Sequence, residues 1–181
     1  MNNNKKSIIK GSRLQLRRLV ESDANETYLA WLNDLEIQNY TRRRNVKTTM
    51  PELESFIRDS KKSKDLHFAI IISENNKHIG NLFIVNINEV SKNAELTIMI
   101  GDKEEQGKGY AKEAIGLATQ FAFKNLNLHR FYAGSPSSVF NGLIKKIGWT
   151  FEGKNREAFL MDDNFIDTEK WSILETEWKE S

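Results

Sequence analysis

Hydrophobic positions change their period along this chain, and the changes divide it into elements. Over 12–20, Leu14 and Leu16 alternate with polar residues, the two-residue repeat of a half-buried strand. Ser22-Asp23 offers an N-cap, after which Tyr28, Trp31, Leu32 and Leu35 recur at helical spacing. Thr48-Thr49-Met50-Pro51-Glu52 reads as a second helix start, with Leu53, Phe56 and Ile57 on one face. The apolar run 66–73, the turn Glu74-Asn75-Asn76-Lys77 and the run 79–87 predict a hairpin. A further strand covers 94–100, with Leu96, Ile98 and Ile100 facing one way.

After Gly109 the period lengthens. Ala111, Ala114, Ile115, Ala118, Phe121 and Ala122 stand three and four apart or adjacent on one helical stripe. A short strand over 131–134 follows. Next comes a helix carrying Phe140, Leu143, Ile144 and Ile147, closed by Gly148. Two last strands, 150–160 and 165–174, flank the turn Met161-Asp162-Asp163-Asn164. Hairpins first and strand–helix–strand later predict a mixed α/β sheet with helices on both faces.

Composition narrows the classes. The 181 residues suit one domain over 1–181, with 1–10 a flexible start, and only two prolines and no linker or repeat interrupt them. A net charge of +2, with no aromatic–basic motif, ranks a nucleic-acid module last. Cysteine is absent, which excludes disulfides, thiolate metal sites and a cysteine nucleophile and fits a reducing cytoplasm. His67, His78 and His129 lack metal-ligand spacing, so no metal is expected. No apolar run has the length of a signal peptide or membrane span, and the expectation is a cytoplasmic protein without a membrane partner, as monomer or homodimer.

Chemistry concentrates between the 94–100 strand and the helix after it. Gln106-Gly107-Lys108-Gly109-Tyr110-Ala111 combines two glycines with a helix start. Glycine allows a tight turn and close approach to a ligand. The unpaired N–H groups of a first helical turn, at the positive end of the helix dipole, favour an anion. Lys108 adds charge at the rim. Physics alone leaves two readings open, a phosphate-binding turn and a plain chain reversal. It is neither a Walker loop nor a dinucleotide fingerprint.

Gln106-x-x-Gly109-x-Ala111 resembles the acetyl-CoA signature of the GNAT superfamily, Arg/Gln-x-x-Gly-x-Gly/Ala. The flanks are similar too: Ala94-Glu95-Leu96-Thr97-Ile98-Met99-Ile100-Gly101 before it and Ala111-Lys112-Glu113-Ala114-Ile115 after it. Trp31-Leu32-Asn33-Asp34, Asn127-Leu128-His129-Arg130, Lys146-Ile147-Gly148-Trp149, Glu152-Gly153 and Ile166-Asp167 resemble the branch that acetylates ribosomal proteins, polyamines and amino sugars. The likeness covers nearly the whole chain.

The resemblance implies a mostly antiparallel GNAT sheet whose two central parallel strands splay apart. Acetyl-CoA is then the acyl donor, with its pyrophosphate on 106–111 and its pantetheine along the backbone of Ile98, Met99 and Ile100. Attack by the amine on the thioester is direct. Two positions depart from the family pattern. Ser137 stands at the approximate place of a cofactor-contacting Asn. Ile144 stands where many members carry a tyrosine general acid, which leaves Tyr132 or a water for that role. The alternative is a non-catalytic acyl-CoA-binding domain of the same fold.

An attacking amine must lose a proton, and Glu95 is the candidate base. Strand alternation puts Glu95, Thr97 and Met99 opposite Leu96, Ile98 and Ile100. Many GNAT enzymes place a glutamate on this strand; a solvent-facing glutamate is the other reading. For the acceptor, Trp31, Tyr40, Arg42, Arg43 and Arg44 are expected to wall the amine pocket. Arginine recognises phosphate or carboxylate, which points to a nucleotide amino sugar or a peptide terminus. A solvated basic loop, with Trp31 and Tyr40 as core or cleft lining, is the bland reading. Lys145-Lys146 reads as a wet helix face and Arg156 as acceptor-facing or exposed.

Overall fold

The computed structural model describes residues 8–41 and 44–179. Its elements are β1 (Ile8–Lys10), β2 (Leu14–Arg18), α1 (Glu26–Asn33), α2 (Leu35–Gln38), α3 (Met50–Ser60), β3 (Leu66–Ile72), β4 (His78–Asn88), β5 (Asn93–Ile100), α4 (Tyr110–Lys124), β6 (Arg130–Ser135), α5 (Ser138–Lys146), β7 (Thr150–Met161) and β8 (Asn164–Leu174). The strands form one eight-stranded sheet in the order β1-β2-β3-β4-β5-β6-β8-β7. All neighbouring pairs are antiparallel except β5–β6.

Alternation along the strands supplies two cores. Leu14, Leu16, Phe68, Ile70, Leu82, Ile84, Leu96 and Phe131 face α4 and α5, whose Ala114, Ile115, Ala118, Phe121 and Ile144 complete the larger one. On the other face Leu19, Ala69 and Ile71 pack against Tyr28 and Trp31 of α1 and Leu53 and Ile57 of α3. Each fully buried large side chain contributes about 1.5–3 kcal/mol.

Two expectations change. The Ile8-Ile9 pair, expected in a flexible start, forms β1 because β2 offers it a partner edge: Ile8 pairs with Arg17 and Ile9 with Leu16. Ser22-Asp23 does not cap α1. It lies in a short 3-10 turn, and the Asp23 carboxylate is taken by Arg17 at 2.7 and 2.9 Å and by the Val20 N–H at 2.8 Å. Asn25 caps instead, accepting from the Tyr28 N–H at 3.0 Å. The start of α3 follows its sequence, with the Thr49 N–H donating to Glu52 at 2.8 Å.

The parallel pair is short. Asn93, Ala94 and Glu95 meet Arg130, Phe131 and Tyr132, and there the register ends. Beyond it β5 continues to Ile100 beside β4, while β6 continues to Ser135 beside β8. A V-shaped gap opens between them, and backbone groups on its walls have no strand partner across it.

Candidate active site

The wide end of the gap leads to the loop before α4. Gly107 and Gly109 have φ of 75° and 83°, the left-handed region that side chains avoid. Space is open beside Gly107, where an added Cβ would meet nothing within 4 Å. Gly109 is the N-cap of α4 and brings no side chain to fill that role. The first N–H to bond back is that of Glu113, to the Gly109 carbonyl at 3.3 Å. Among the described residues the N–H groups of Tyr110, Ala111 and Lys112 therefore remain as donors, at the positive end of a 15-residue helix. An acetyl-CoA pyrophosphate fits this cradle: open space, unpaired donors and a favourable dipole coincide.

Ion pairs hold the loop. Gln106 donates through Nε2 to the Ile100 carbonyl at 2.9 Å, tying the loop to the end of β5. Glu105, nearly buried, accepts from Lys108 at 2.8 Å and Lys77 at 3.0 Å, and Lys77 also meets Asp102 at 2.8 Å. These bonds hold the Lys77 amine well above the usual lysine range and the Glu105 carboxyl below the usual carboxylate range. Lys103 joins Asp34 and Glu36 at 2.8 and 2.6 Å. The charge of Lys108 is thus matched by Glu105 instead of standing free at the rim.

Glu95 and Tyr132 face each other across the last rung before the gap, on the side of the sheet that carries α1 and α3. Glu95 is half-buried. Its Oε2 accepts from Asn86 Nδ2 at 2.8 Å. Asn86 sits at φ 54° in the irregular stretch of β4 opposite Glu95, so a strand distortion delivers this donor. Burial pushes the Tyr132 phenol above the usual tyrosine range, the Glu95 charge adds to this, and Arg130 opposes it. Tyr132 thus keeps its proton at neutral pH. Beside it Arg130 pairs with Glu152, which also accepts from Ser172 Oγ at 2.8 Å. Arg130, Tyr132, Glu152 and Lys170 line a shallow depression there. Lys170 lies across Gly134, its Nζ 2.7 Å from where a Cβ would stand.

Of the expected acceptor residues, Trp31, Tyr40 and Arg44 lie among the described residues. Trp31 is 7% exposed and packs against Tyr28 and His78, at ring-centre distances of 5.9 and 5.1 Å. A Cβ on Gly101 would come within 2.2 Å of its indole. Tyr40 is half-exposed. Arg44 is mostly buried and pairs with Asp162 in the β7–β8 turn, so it ties the α2–α3 loop to that hairpin. Arg42 and Arg43 lie outside the described residues. Ser137 caps α5, its Oγ accepting from the Phe140 N–H at 3.3 Å. Ile144 is fully buried in the larger core.

Sequence pattern misses three residues of the site. Asn86 reads as one polar position in a strand. Arg13 and Glu113 lie one hundred residues apart in the chain, yet the Arg13 N–H and Nε donate to the Glu113 carboxylate at 2.7 and 2.9 Å. No local spacing announces such a link.

Comparison with known proteins agrees with this geometry. A family model described as an acetyltransferase (GNAT) domain matches residues 13–136. The spermidine N(1)-acetyltransferase of Vibrio cholerae is 32% identical over 104 residues, 55% of this chain, and the chain spans 58% of that relative's length. The uncharacterized N-acetyltransferase YnaD of Bacillus subtilis is 28% identical over 154 residues, covering 78% of this chain and 88% of that protein. A crystal structure of spermidine N-acetyltransferase from Vibrio cholerae in complex with CoA and spermine superposes with a TM-score of 0.81. It is 27% identical and covers 92% of this chain and 98% of that one. The matched span runs from the start of β2 through the gap and the glycine loop to the end of β6, and the chain belongs to the GNAT acetyltransferase family.

Proposed function

We propose that this GNAT acetyltransferase, whose acyl donor is acetyl-CoA, passes the acetyl group directly to a primary amine with Glu95 as general base. The observation that carries the assignment is the position of Glu95 at the apex of the gap, with Oε2 fixed by Asn86. A free alkyl amine has a pKa of about 10.4 and reaches the site protonated. Glu95 takes that proton, directly or through a water, and the neutral nitrogen attacks the thioester carbonyl. The carbon–sulfur bond then breaks, and the leaving thiolate takes a proton. Tyr132, protonated and next to Glu95 in register, is the donor we assign.

On this reading the pyrophosphate rests on the N–H groups of the Gln106–Ala111 loop, and the pantetheine pairs with the β5 backbone at Ile98, Met99 and Ile100, where the Ile100 carbonyl already accepts from Gln106. Ser137 still has its hydroxyl proton to offer the donor after capping α5.

The acceptor enters on the α1 and α3 face. Around the apex, Glu152 is neutralised by Arg130 and Asp162 by Arg44, and Lys170 has no carboxylate partner among the described residues. Glu95 forms no ion pair among the described residues, which leaves its carboxylate for an ammonium. This charge pattern suits an amine on a neutral or anionic body, such as a peptide N-terminus or a nucleotide amino sugar, better than a polyamine.

Two experiments test the reading. Glu95→Gln is expected to bind acetyl-CoA normally but lose kcat, with the deficit shrinking as rising pH deprotonates the amine unaided. A wild-type pH–rate profile ends the assignment. A panel of amines, followed by free-thiol release, is expected to favour peptides or amino sugars; spermidine as the best acceptor overturns the charge argument. Failure of every amine, with acetyl-CoA still bound, favours the non-catalytic alternative.

A further inference from the structure

We infer that Arg13 is a phosphate ligand of the donor site, presenting its outer guanidinium nitrogen to the diphosphate bridge of CoA. The inference rests on the placement of that diphosphate over the Gln106–Ala111 loop. Arg13 belongs to the turn between β1 and β2, far from the loop in sequence. The packing of β2 and α4 into one core brings the turn to the start of α4.

The guanidinium is held on three sides. Nε donates to Glu113 Oε2 at 2.9 Å, and Nη1 donates to the Lys108 carbonyl at 3.0 Å. The group also lies 4.8 Å from the centre of the Tyr110 ring. Nη2 makes no hydrogen bond among the described residues and stands 3.5 Å from where a Cβ of Gly109 would be. The side chain is 49% exposed. A fixed cation thus points unused N–H groups toward the N-terminus of α4 from the solvent side. A planar guanidinium held this way suits a phosphate oxygen better than a mobile ammonium does.

Securing the turn does not need this arrangement. The Glu113 carboxylate already accepts from the Arg13 N–H at 2.7 Å, the Leu14 N–H at 3.1 Å and Ser12 Oγ at 3.2 Å. Those bonds alone fasten the turn to α4. Burial pushes the Glu113 carboxyl up, but the bonds from Arg13, Leu14 and Ser12 outweigh it and hold the group below the usual carboxylate range. Glu113 therefore stays charged, and an uncompensated carboxylate in the first turn would repel a phosphate. Arg13 cancels that charge and leaves donors to spare. Lys108, the cation in the loop itself, is occupied by Glu105.

The test is calorimetric titration of the full chain with CoA, with dephospho-CoA, which keeps the diphosphate but lacks the ribose phosphate, and with pantetheine, which lacks all three phosphates. Arg13→Ala is expected to weaken CoA and dephospho-CoA alike, by roughly tenfold or more, and to leave pantetheine unchanged. Arg13→Lys is expected to recover part of the loss. An equal loss on pantetheine makes Arg13 a turn-holder only. A loss confined to CoA moves the contact to the ribose phosphate. Either result overturns the inference, as does unchanged binding of all three. If Arg13→Ala does not fold, Arg13→Gln, which keeps a side-chain donor for Glu113, is titrated in its place and read by the same outcomes. Wild-type protein that binds dephospho-CoA no better than pantetheine would instead overturn the placement of the diphosphate on the loop.

Discussion

The two sides of the gap are built differently. On the donor side, charged side chains from the β1–β2 turn, the β3–β4 turn and the α1–α2 junction converge on nine residues of chain, from Asp102 to Tyr110. Each contact crosses between elements, so the loop has several independent anchors. On the proposed acceptor side, the α2–α3 loop is joined to the β7–β8 hairpin, among the described residues, by the ion pair Arg44–Asp162, whose aspartate is largely exposed. On the proposed function, the contrast follows from what each side would recognise. A diphosphate needs several backbone donors fixed in one geometry, whereas an amine needs a base at the apex and a wall that differs from one acceptor to another.

Four tests would break or sharpen that contrast. The largest effect is expected at the apex, where both sides meet: Glu95→Gln should lower kcat about a hundredfold. Next is Gly109→Val on the donor side. A β-branched residue at φ 83° is strained, and the loop can relieve it only by moving its donors. CoA affinity should fall more than tenfold, that is by more than about 1.4 kcal/mol, and unchanged affinity in a folded variant by calorimetry would contradict the loop assignment. On the acceptor side, Arg44→Ala and Asp162→Asn should each raise KM for the amine several-fold and leave KM for acetyl-CoA nearly unchanged. If both constants moved together, the two sides would not be separable.

The smallest effect concerns pH. Burial holds His67 and His78 below the usual histidine range; Arg18 adds to this at His67, against Asp65, while Asp23 opposes it at His78. The folded state keeps these rings neutral where the unfolded chain, with a pKa of about 6.5, binds protons. Their contribution is therefore fully present above that value and declines as pH falls below it. Thermal unfolding should show a lower melting temperature near pH 5 than near pH 7.5. His67→Phe, which places an apolar ring beside Phe56 and Phe83, should reduce the difference. An unchanged slope would remove His67 from the account.

What the sequence discloses is local. The stripe on α4 and the glycines of the loop are legible because helical period and positive φ constrain residues a few places apart. The strands at 66–73, 79–87 and 94–100 are legible for the same reason. Links between distant segments are not, and they finish the site. Asn86 reaches Glu95 through a distorted strand, Arg13 reaches Glu113 across the chain, and Arg44 spends its charge on Asp162. Alternation gave the face of Glu95, but only the register shows that parallel pairing stops there. Ile8 and Ile9 make too short a run to announce a strand and become one by pairing. Trp31 kept two readings open in sequence, and burial against Gly101 places it within the smaller core.

The brevity of the β5–β6 pairing also has a dynamic side. Among the described residues, three residue pairs, with the His129 and Arg130 N–H groups donating to the Lys92 carbonyl beside them, join the backbone ladder of β1–β5 to that of β6, β8 and β7. Each ladder is internally continuous, so the seam between them is where the sheet can breathe as two bodies. A donor lodged in the opening would bridge the seam. At a hundred times its Kd, ligand linkage would add about 2.7 kcal/mol to the folded state. Amide exchange without donor is then expected to divide into two kinetic groups, one per ladder, and saturating CoA should draw the two together.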